Sequence, residues 1–405
     1  MYHIEVVKYR HATAFVAILV VIVISGYGFV AYRKPVVALS PRPTQAAHAI
    51  APGPALDWPI HGEAAIGAVG YGVLATHGIQ KPQPTASVAK TMLALAVLKK
   101  YPIQPGQQGP ILTMTQADVD SYNTYVSEDG SVAKVVVGEK ITEYQALEAL
   151  LLPSADNIAD TLARWSYGSI SAYSSAANAM ASSLGMNNTH FGTVDASGLS
   201  PATTSTAHDL VLLGQAAIKD PVITQIVDKS YATIPVAGTV HNYNWLLGSY
   251  GVNGIKTGNS DQAGGVFLFS AKKTFANGQS VTVIGAIMDP AATLDQAIAA
   301  SEPLIISAEA GFTTTTLIHA GQVMGAYDVP WAGTINAVAI RPISVVTWHG
   351  QDITPSVSLS SLRTPIAKGT QVGTVTFPDG LGSSPIVISD SVAAPSWHWR
   401  LQHAF

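Results

Sequence analysis

The pattern Ser-x-x-Lys is the first feature of this sequence that could carry chemistry. A serine hydroxyl is a poor nucleophile until a base takes its proton, and a lysine amine one helical turn away can do so. The chain contains the pattern three times, at 87–90, 131–134 and 270–273. Only Ser87 opens a strongly helical run; the other copies border predicted strands, where positions i and i+3 point to opposite faces. Ser87 and Lys90 are therefore the candidate nucleophile and base.

Two further polar motifs stand beside predicted elements. Lys256-Thr257-Gly258 borders a strand. Basic and hydroxyl groups on an edge strand, beside a glycine that admits close approach, suit an anionic extended ligand. The second motif, Leu-Pro-Ser-Ala-Asp-Asn at 152–157, joins two predicted helices. Taken alone, Lys256 is a surface lysine in a turn, and Ser154 or Asp156 is a helix N-cap.

Local patterns predict the elements that must position these motifs. Residues 64–75 read as strand and 89–98 as an apolar helix. A capping box, Thr142 to Gln145, opens a further helix, and an Asn-Gly turn at 277–278 joins two strands. Another helix is predicted at 292–310, and only short β-rich runs follow. The middle of the chain is thus predicted to be helices plus antiparallel strands, with a separate β domain after it.

Composition excludes several classes of protein. The 405 residues are 48% hydrophobic and 11% charged, which excludes a disordered chain. The net charge of −4 argues against a nucleic-acid partner. The chain has no cysteine, so disulfides, Fe–S clusters, zinc–thiolate sites and cysteine nucleophiles are excluded. The sequence also lacks a His-Glu-x-x-His pair and a phosphate-binding loop, and we predict neither a metal nor a cofactor.

One segment is suited to a membrane. Residues 12–32 contain no charge and would span about 31 Å as a helix, enough for a hydrocarbon core of about 30 Å. We predict an uncleaved signal anchor, ahead of a cleaved signal or a buried core helix. Basic residues flank both ends, so the positive-inside rule barely decides the orientation. The proline-rich residues 33–58 are predicted to be a semi-rigid linker.

The three motifs follow one another at 87, 154 and 256, on a helix start, an inter-helix loop and a strand. That order is typical of penicillin-binding proteins and class A β-lactamases. The sequence resembles the serine D-alanyl-D-alanine carboxypeptidases, the low-molecular-mass penicillin-binding proteins of peptidase family S11. The resemblance is strong over 59–311 and includes these stretches: Thr-Ala-Ser-Val-Ala-Lys-Thr-Met at 85–92, Asp-Ala-Ser-Gly-Leu at 195–199 and Gly-Ile-Lys-Thr-Gly at 254–258.

The resemblance implies an α+β fold of the serine β-lactamase and penicillin-binding transpeptidase type. Such a domain has an antiparallel sheet with helices on both faces plus a helical subdomain, here at 59–311. A small all-β domain would follow at 312–405, with residues 1–11 cytoplasmic and a single transmembrane helix at 12–32. The implied activity is removal of the terminal D-Ala from peptidoglycan stem peptides outside the cell membrane, without a cofactor and with β-lactams as inhibitors.

The same resemblance implies roles for individual residues. Ser87 would attack the D-Ala-D-Ala carbonyl and be acylated, Lys90 would accept its proton, and Ser154 would relay protons to the leaving amine. The substrate carboxylate would be held by the third motif, and backbone N–H groups would form the oxyanion hole. The substrate-binding residues implied by the family are Lys256, Thr257, Gly258 and Asn259, with Asp156 or Asn157 beside them.

The second motif departs from the family. Its pattern is Ser-x-Asn, whereas this chain has Ser154-Ala155-Asp156, with Asn157 one place later. An asparagine amide donates hydrogen bonds and an ionised aspartate does not. Either Asp156 replaces the amide beside Lys90, or the loop shifts so that Asn157 serves. An aspartate there would favour the protonated form of Lys90, the wrong direction for a base.

Three readings of the function remain open at this point. A membrane-anchored D,D-carboxypeptidase is first, with endopeptidase or transpeptidase activity possible within it. A serine β-lactamase needs an added glutamate for deacylation, for which the sequence has no convincing equivalent. A catalytically weak module that binds penicillin or peptidoglycan is favoured by Asp156 alone. Turnover of a D-Ala-D-Ala peptide separates the first reading from the third.

Overall fold

A computed structural model of the chain describes residues 2–44, 55–349, 353–378 and 381–403. The chain divides into two compact units. The larger unit covers residues 53–313, and the smaller one combines residues 1–52 with 314–405. The larger unit is therefore inserted between two segments of the smaller one.

Helices alternate with strands in the larger unit, and strands dominate the C-terminal part of the smaller one. The helices are α1 (Tyr2–Arg33), α2 (Lys90–Lys100), α3 (Gln116–Ser127), α4 (Glu143–Leu151), α5 (Asp156–Tyr167), α6 (Ile170–Ser183), α7 (Ala207–Ile218), α8 (Pro221–Val227), α9 (Leu294–Ala310) and α10 (Trp397–Gln402). The strands are β1 (Pro41–Pro43), β2 (Glu63–Ala68), β3 (Gly72–His77), β4 (Gln83–Pro84), β5 (Ile111–Thr113), β6 (Lys140–Thr142), β7 (Thr204–Ser205), β8 (Tyr231–Ile234), β9 (Gly238–His241), β10 (Val252–Ser260), β11 (Gly264–Thr274), β12 (Ser280–Asp289), β13 (Phe312–Ile318), β14 (Val323–Val329), β15 (Gly333–Ala339), β16 (Ile343–Trp348), β17 (Ser356–Leu359), β18 (Gln371–Phe377) and β19 (Gly382–Ile388).

A five-stranded antiparallel sheet of order β10-β11-β12-β2-β3 forms the centre of the larger unit. Two helices cover its opposite faces. A Cβ added at Gly214 of α7 would lie 3.0 Å from the Leu268 side chain, whereas one added at Gly265 would lie 2.3 Å from the Thr293 carbonyl at the start of α9. Even and odd positions of one strand face opposite sides of a sheet. The predicted α+β fold, with helices on both faces, is confirmed.

The remaining helices of the larger unit share its hydrophobic core. The predicted capping box opens α4, because Thr142 Oγ1 accepts from Gln145 N–H at 3.1 Å and Gln145 Oε1 accepts from Thr142 N–H at 3.0 Å. The apolar face of α4 is buried, including Leu147 and Leu150 at 0% exposure. This packing fixes the C-terminal end of α4, from which the second motif begins.

The smaller unit contains a six-stranded sheet of order β1-β14-β15-β19-β18-β17, with Tyr327 and Ile386 in its core. The pairing of β1, the first strand of this sheet, differs from one prediction. Residues 41–43 are predicted to belong to the semi-rigid linker at 33–58, but they pair antiparallel with β14, with Pro41 opposite Tyr327. The second part of that linker, residues 45–54, lies outside the described residues. The C-terminal residues 397–402, predicted without a helix, form α10.

Candidate active site

The nucleophile candidate lies where a short 3₁₀ helix, Ala86–Ala89, runs into α2. Lys90, the first residue of α2, directs its Nζ to Ser87 Oγ at 2.6 Å. Lys90 is 0% exposed and Ser87 is partly exposed. Ala86 has a φ of +44°, a left-handed conformation that costs about 1–3 kcal/mol for a residue with a Cβ. The strained residue directly precedes the serine, so the fold stabilises this turn against its local preference.

The loop between α4 and α5 adds a carboxylate to this pair. Lys90 Nζ lies 2.6 Å from Asp156 Oδ1 and 3.4 Å from Ser154 Oγ. The Lys90 and Asp156 side chains are 0% and 2% exposed, so they form a buried ion pair. Ser154 has a φ of +63°. Neither Ser154 nor Asp156 is the N-cap of α5, a position taken by Ala155.

Asn157 faces a different part of the unit. Its Oδ1 accepts from Ala133 N–H at 3.0 Å, and its Nδ2 donates to the Ala133 carbonyl at 2.9 Å. Both amide atoms therefore hold the loop after residue 130. Of the two alternatives left by the sequence, the structure has Asp156 beside Lys90, while Asn157 supports the neighbouring loop.

The third motif lies inside β10, an edge strand of the central sheet. Lys256 is 2% exposed, and its Nζ donates to the Thr257 carbonyl at 2.9 Å. Burial and, secondarily, the like charge of Lys90 hold the pKa of Lys256 well below its usual range, while Asp156 opposes the shift. Lys256 thus lies beneath the site as a lysine that readily loses its proton.

Gly258 allows β10 to approach the nucleophile. A Cβ at this position would lie 3.0 Å from the Thr85 carbonyl and 3.2 Å from Ser87 N. Contacts that short require the neighbouring backbone to move. The glycine of the motif therefore lets the edge strand run directly beside the backbone N–H of Ser87.

A cleft of about 240 Å³ joins these elements. Six of the predicted residues line it: Ser87, Ser154, Asp156, Thr257, Gly258 and Asn259. The sequence reasoning missed six others: Asp129, Gly130, Ser131, Leu199, Tyr243 and Leu294.

The sequence predicts that Ser131 borders a strand, but this residue lies in a loop. Its carbonyl accepts from Asp156 N–H at 2.7 Å, while Lys134 is exposed to solvent. The signal that could have found this loop is its Asp-Gly-Ser sequence at 129–131, a turn sequence between two helices.

A serine–lysine pair at a helix start, beside an edge strand that carries Lys-Thr-Gly, defines the class of penicillin-binding serine peptidases. The family model described as D-alanyl-D-alanine carboxypeptidase, peptidase S11, matches residues 65–290. The chain belongs to this family and is a serine-type enzyme of it.

Relatives and solved structures agree with this assignment. The D-alanyl-D-alanine carboxypeptidase of Streptomyces sp. strain K15 is 31% identical over 233 residues, 53% of this chain and 75% of the relative. DacA of Escherichia coli strain K12 is 26% identical over 336 residues, 79% and 80% of the two chains. The Streptomyces K15 DD-transpeptidase structure, 26% identical, has a TM-score of 0.54 and covers 63% of this chain and 98% of its own. Penicillin binding protein 5 from Haemophilus influenzae shares the fold, with a TM-score of 0.57 at 20% identity and coverage of 84% and 99%.

Proposed function

We propose that this chain is a membrane-anchored serine D,D-carboxypeptidase that removes the terminal D-Ala from peptidoglycan stem peptides. The observation that carries the proposal is the 2.6 Å contact between Lys90 Nζ and Ser87 Oγ at a cleft bordered by β10. Family membership and the names of the relatives from Streptomyces and Escherichia coli support the same reaction.

The reaction has two steps. Ser87 Oγ attacks the carbonyl carbon of the penultimate D-Ala, and its proton passes to the neutral amine of Lys90. The new C–O bond replaces the C–N bond, and the leaving D-Ala amine takes a proton from Lys90 by way of Ser154. Water then attacks the ester carbonyl carbon and gives one proton to Lys90. The new C–OH bond replaces the C–Oγ bond, Ser87 Oγ takes that proton back from Lys90, and the shortened peptide leaves with a free carboxyl group. Backbone N–H groups of Ser87 and Asn259 stabilise the oxyanion, each donor contributing about 3–4 kcal/mol.

The third motif recognises the terminal carboxylate of the substrate. Thr257 lines the cleft, and Lys256 is buried behind it with its pKa held low. A carboxylate that enters the cleft favours the protonated form of Lys256, because an opposite charge stabilises the ammonium. β-Lactams, which acylate the same serine, are the inhibitors.

The N-terminal helix is the proposed anchor. Ala12–Arg33 comprises 22 residues with a mean hydropathy of 2.6, which is long and apolar enough to cross a bilayer. Peptidoglycan lies outside the cell membrane, so the domain at 59–311 is placed on the outer face and residues 1–11 in the cytoplasm. The described strands of the smaller unit lie on the same outer side.

A second candidate function rests on the buried ion pair. Asp156 Oδ1 lies 2.6 Å from Lys90 Nζ, so the residue that must accept the Ser87 proton is already held in a buried ion pair. Acylation at such a site would be slow. The second candidate is accordingly a module that binds penicillin or peptidoglycan with weak turnover.

Intact-mass spectrometry of the full chain with benzylpenicillin tests the proposal. We expect a covalent adduct that Ser87→Ala abolishes. Ser131→Ala is the matched control: it belongs to the same Ser-x-x-Lys pattern and lines the same cleft, and it should keep the adduct. Release of D-Ala from a D-Ala-D-Ala peptide should accompany the adduct. An adduct without D-Ala release would favour the second candidate, and steady consumption of penicillin would indicate a β-lactamase. No adduct would refute the acyl-enzyme.

A further inference from the structure

The C-terminal helix α10 packs on the end of α1, within the smaller unit. The Tyr27 hydroxyl donates to the Leu401 carbonyl at 2.6 Å. Arg400 Nη1 donates to the carbonyls of Tyr32 at 2.9 Å and Lys34 at 3.1 Å. Ala31 is 2% exposed, although most of the described α1 side chains around it are exposed. The end of the candidate membrane helix is thus in contact with a second segment of the chain.

A cavity of about 370 Å³, here called the headgroup chamber, opens beside this contact. Its lining includes Lys34, Arg400 and His403. The rings of Trp399 and His403 stack with their centroids 4.2 Å apart. Asp328 also lines the chamber, but its carboxylate forms an ion pair with Arg42 at 2.6 Å. The chamber therefore combines aromatic walls with an excess of positive charge.

A second cavity of about 230 Å³, the apolar chamber, adjoins the first one and shares Ala31 and Arg400 with it. The remaining lining is almost entirely apolar and comes from both helices: Ile24, Gly28, Tyr32, Trp397 and Leu401. A Cβ added at Gly28 would meet nothing within 4 Å. The missing side chain of Gly28 therefore leaves a slot in the surface of α1.

The two chambers follow one another along α1. At 1.5 Å per residue, Gly28 lies about 9 Å before Lys34 along the helix direction. Ile24 and Gly28 belong to the apolar stretch Ala12–Arg33, so their chamber is at the depth of acyl chains. Tyr27, Tyr32 and Trp397 are exposed around it, and such aromatic residues are typical of the membrane–water interface. Together the chambers match a molecule with an acyl chain and an anionic head.

We propose that these chambers bind one anionic phospholipid of the outer leaflet. An acyl chain lies in the slot at Gly28, and the phosphate lies beside Lys34 and Arg400. Lysine and arginine near the membrane surface attract anionic lipids, which favours them over zwitterionic ones. The inference rests on the proposed membrane anchoring, and it assigns α10 the role of completing a lipid site around α1.

Native mass spectrometry of the full chain in mild detergent tests the lipid site, with added phosphatidylglycerol or phosphatidylcholine. We expect one phosphatidylglycerol retained per chain and about 10-fold less phosphatidylcholine. Gly28→Leu fills the slot without a clash and should lower phosphatidylglycerol retention about 10-fold or more. Gly26→Leu is the matched control, because Gly26 also has open space around it but lies outside the chambers, so retention should be unchanged. Lys34→Gln should remove most of the preference for the anionic lipid.

Two results would overturn the lipid site: equal retention of both lipids by the unaltered chain, or undiminished retention by Gly28→Leu. Alkaline carbonate extraction of membranes separates this failure from failure of the anchor. A chain that resists extraction but retains no phosphatidylglycerol refutes the lipid site alone, whereas a chain that is washed off refutes the anchor and the lipid site together. The penicillin adduct should be unaffected in Gly28→Leu, so the enzymatic proposal is tested independently.

Discussion

Replacing Asp156 by asparagine would restore the family's amide beside the proposed base. The carboxylate lies 2.6 Å from Lys90 Nζ, and both side chains are buried, so little solvent screens the pair. Lys90 can accept the proton of Ser87 only as a neutral amine. The substituted amide would keep an oxygen that accepts a hydrogen bond from Lys90, but it would carry no charge. Asp156→Asn therefore separates the charge of the group from its shape.

The size of the effect follows from the contact. An opposite charge this close favours the charged form of its partner by roughly 10- to 1000-fold. Once the carboxylate is removed, the buried amine of Lys90 keeps a hydrogen-bond partner but loses its counter-ion. We expect the acylation rate with penicillin at about pH 7 to rise about 10-fold or more.

The assay is the acylation rate with a fluorescent penicillin, measured from about pH 5 to about pH 10. Asp160→Asn is the matched control: it makes the same chemical change one turn later in α5. The Asp160 carboxylate accepts from Ala196 N–H at 2.9 Å and from the Tyr125 hydroxyl at 3.0 Å rather than from Lys90. Asp160→Asn should therefore keep the acylation rate of the unaltered enzyme. Slower acylation by Asp156→Asn would refute the reasoning and place the carboxylate in the proton path.

Two further predictions concern burial and close approach. Burial raises the pKa of Glu143 to about 7. Between pH 4.5 and this value the folded protein keeps the proton on the carboxyl group, whereas the unfolded chain, with a pKa near 4.5, loses it. Stability should fall as pH rises from about 4.5 to about 7, by on the order of 2–3 kcal/mol, and Glu143→Gln should remove that loss in thermal unfolding. Glu148, on the same helix α4, pairs with Lys229 at 2.7 Å, so Glu148→Gln should lower the stability instead. An unchanged dependence of stability on pH in Glu143→Gln would contradict the first expectation. Gly258→Ala should slow penicillin acylation about 10-fold with little change in the thermal midpoint, because its Cβ would lie 3.2 Å from Ser87 N and displace the nucleophile. An unchanged acylation rate would show that β10 can move away from Ser87.

The elements around the site were predictable because their signals are local. The capping box at Thr142 and the Asn277-Gly278 turn each specify a boundary within four residues of sequence. The pairing of β1 with β14 has no such signal. Pro41–Pro43 is three residues long with two prolines, and its partner strand lies on the far side of the inserted unit in sequence. Six-residue α10 is likewise too short for a helical period to be recognised.

The contacts around the nucleophile likewise include some that the local sequence sets and others that depend on the fold. The spacing of Ser87 and Lys90 is fixed within one helical turn, so the sequence alone could bring the two together. The choice between Asp156 and Asn157 depends on where α5 begins, because each residue of a helix turns its side chain by about 100°. The left-handed conformation of Ser154 makes Asp156 the first helical residue, and Asn157 then turns away to bind both backbone groups of Ala133. The amide at 157 thus stabilises the loop that lines the cleft, and it cannot exchange roles with the carboxylate at 156 without giving up that loop. For this reason the charge beside Lys90 should be altered at position 156 alone.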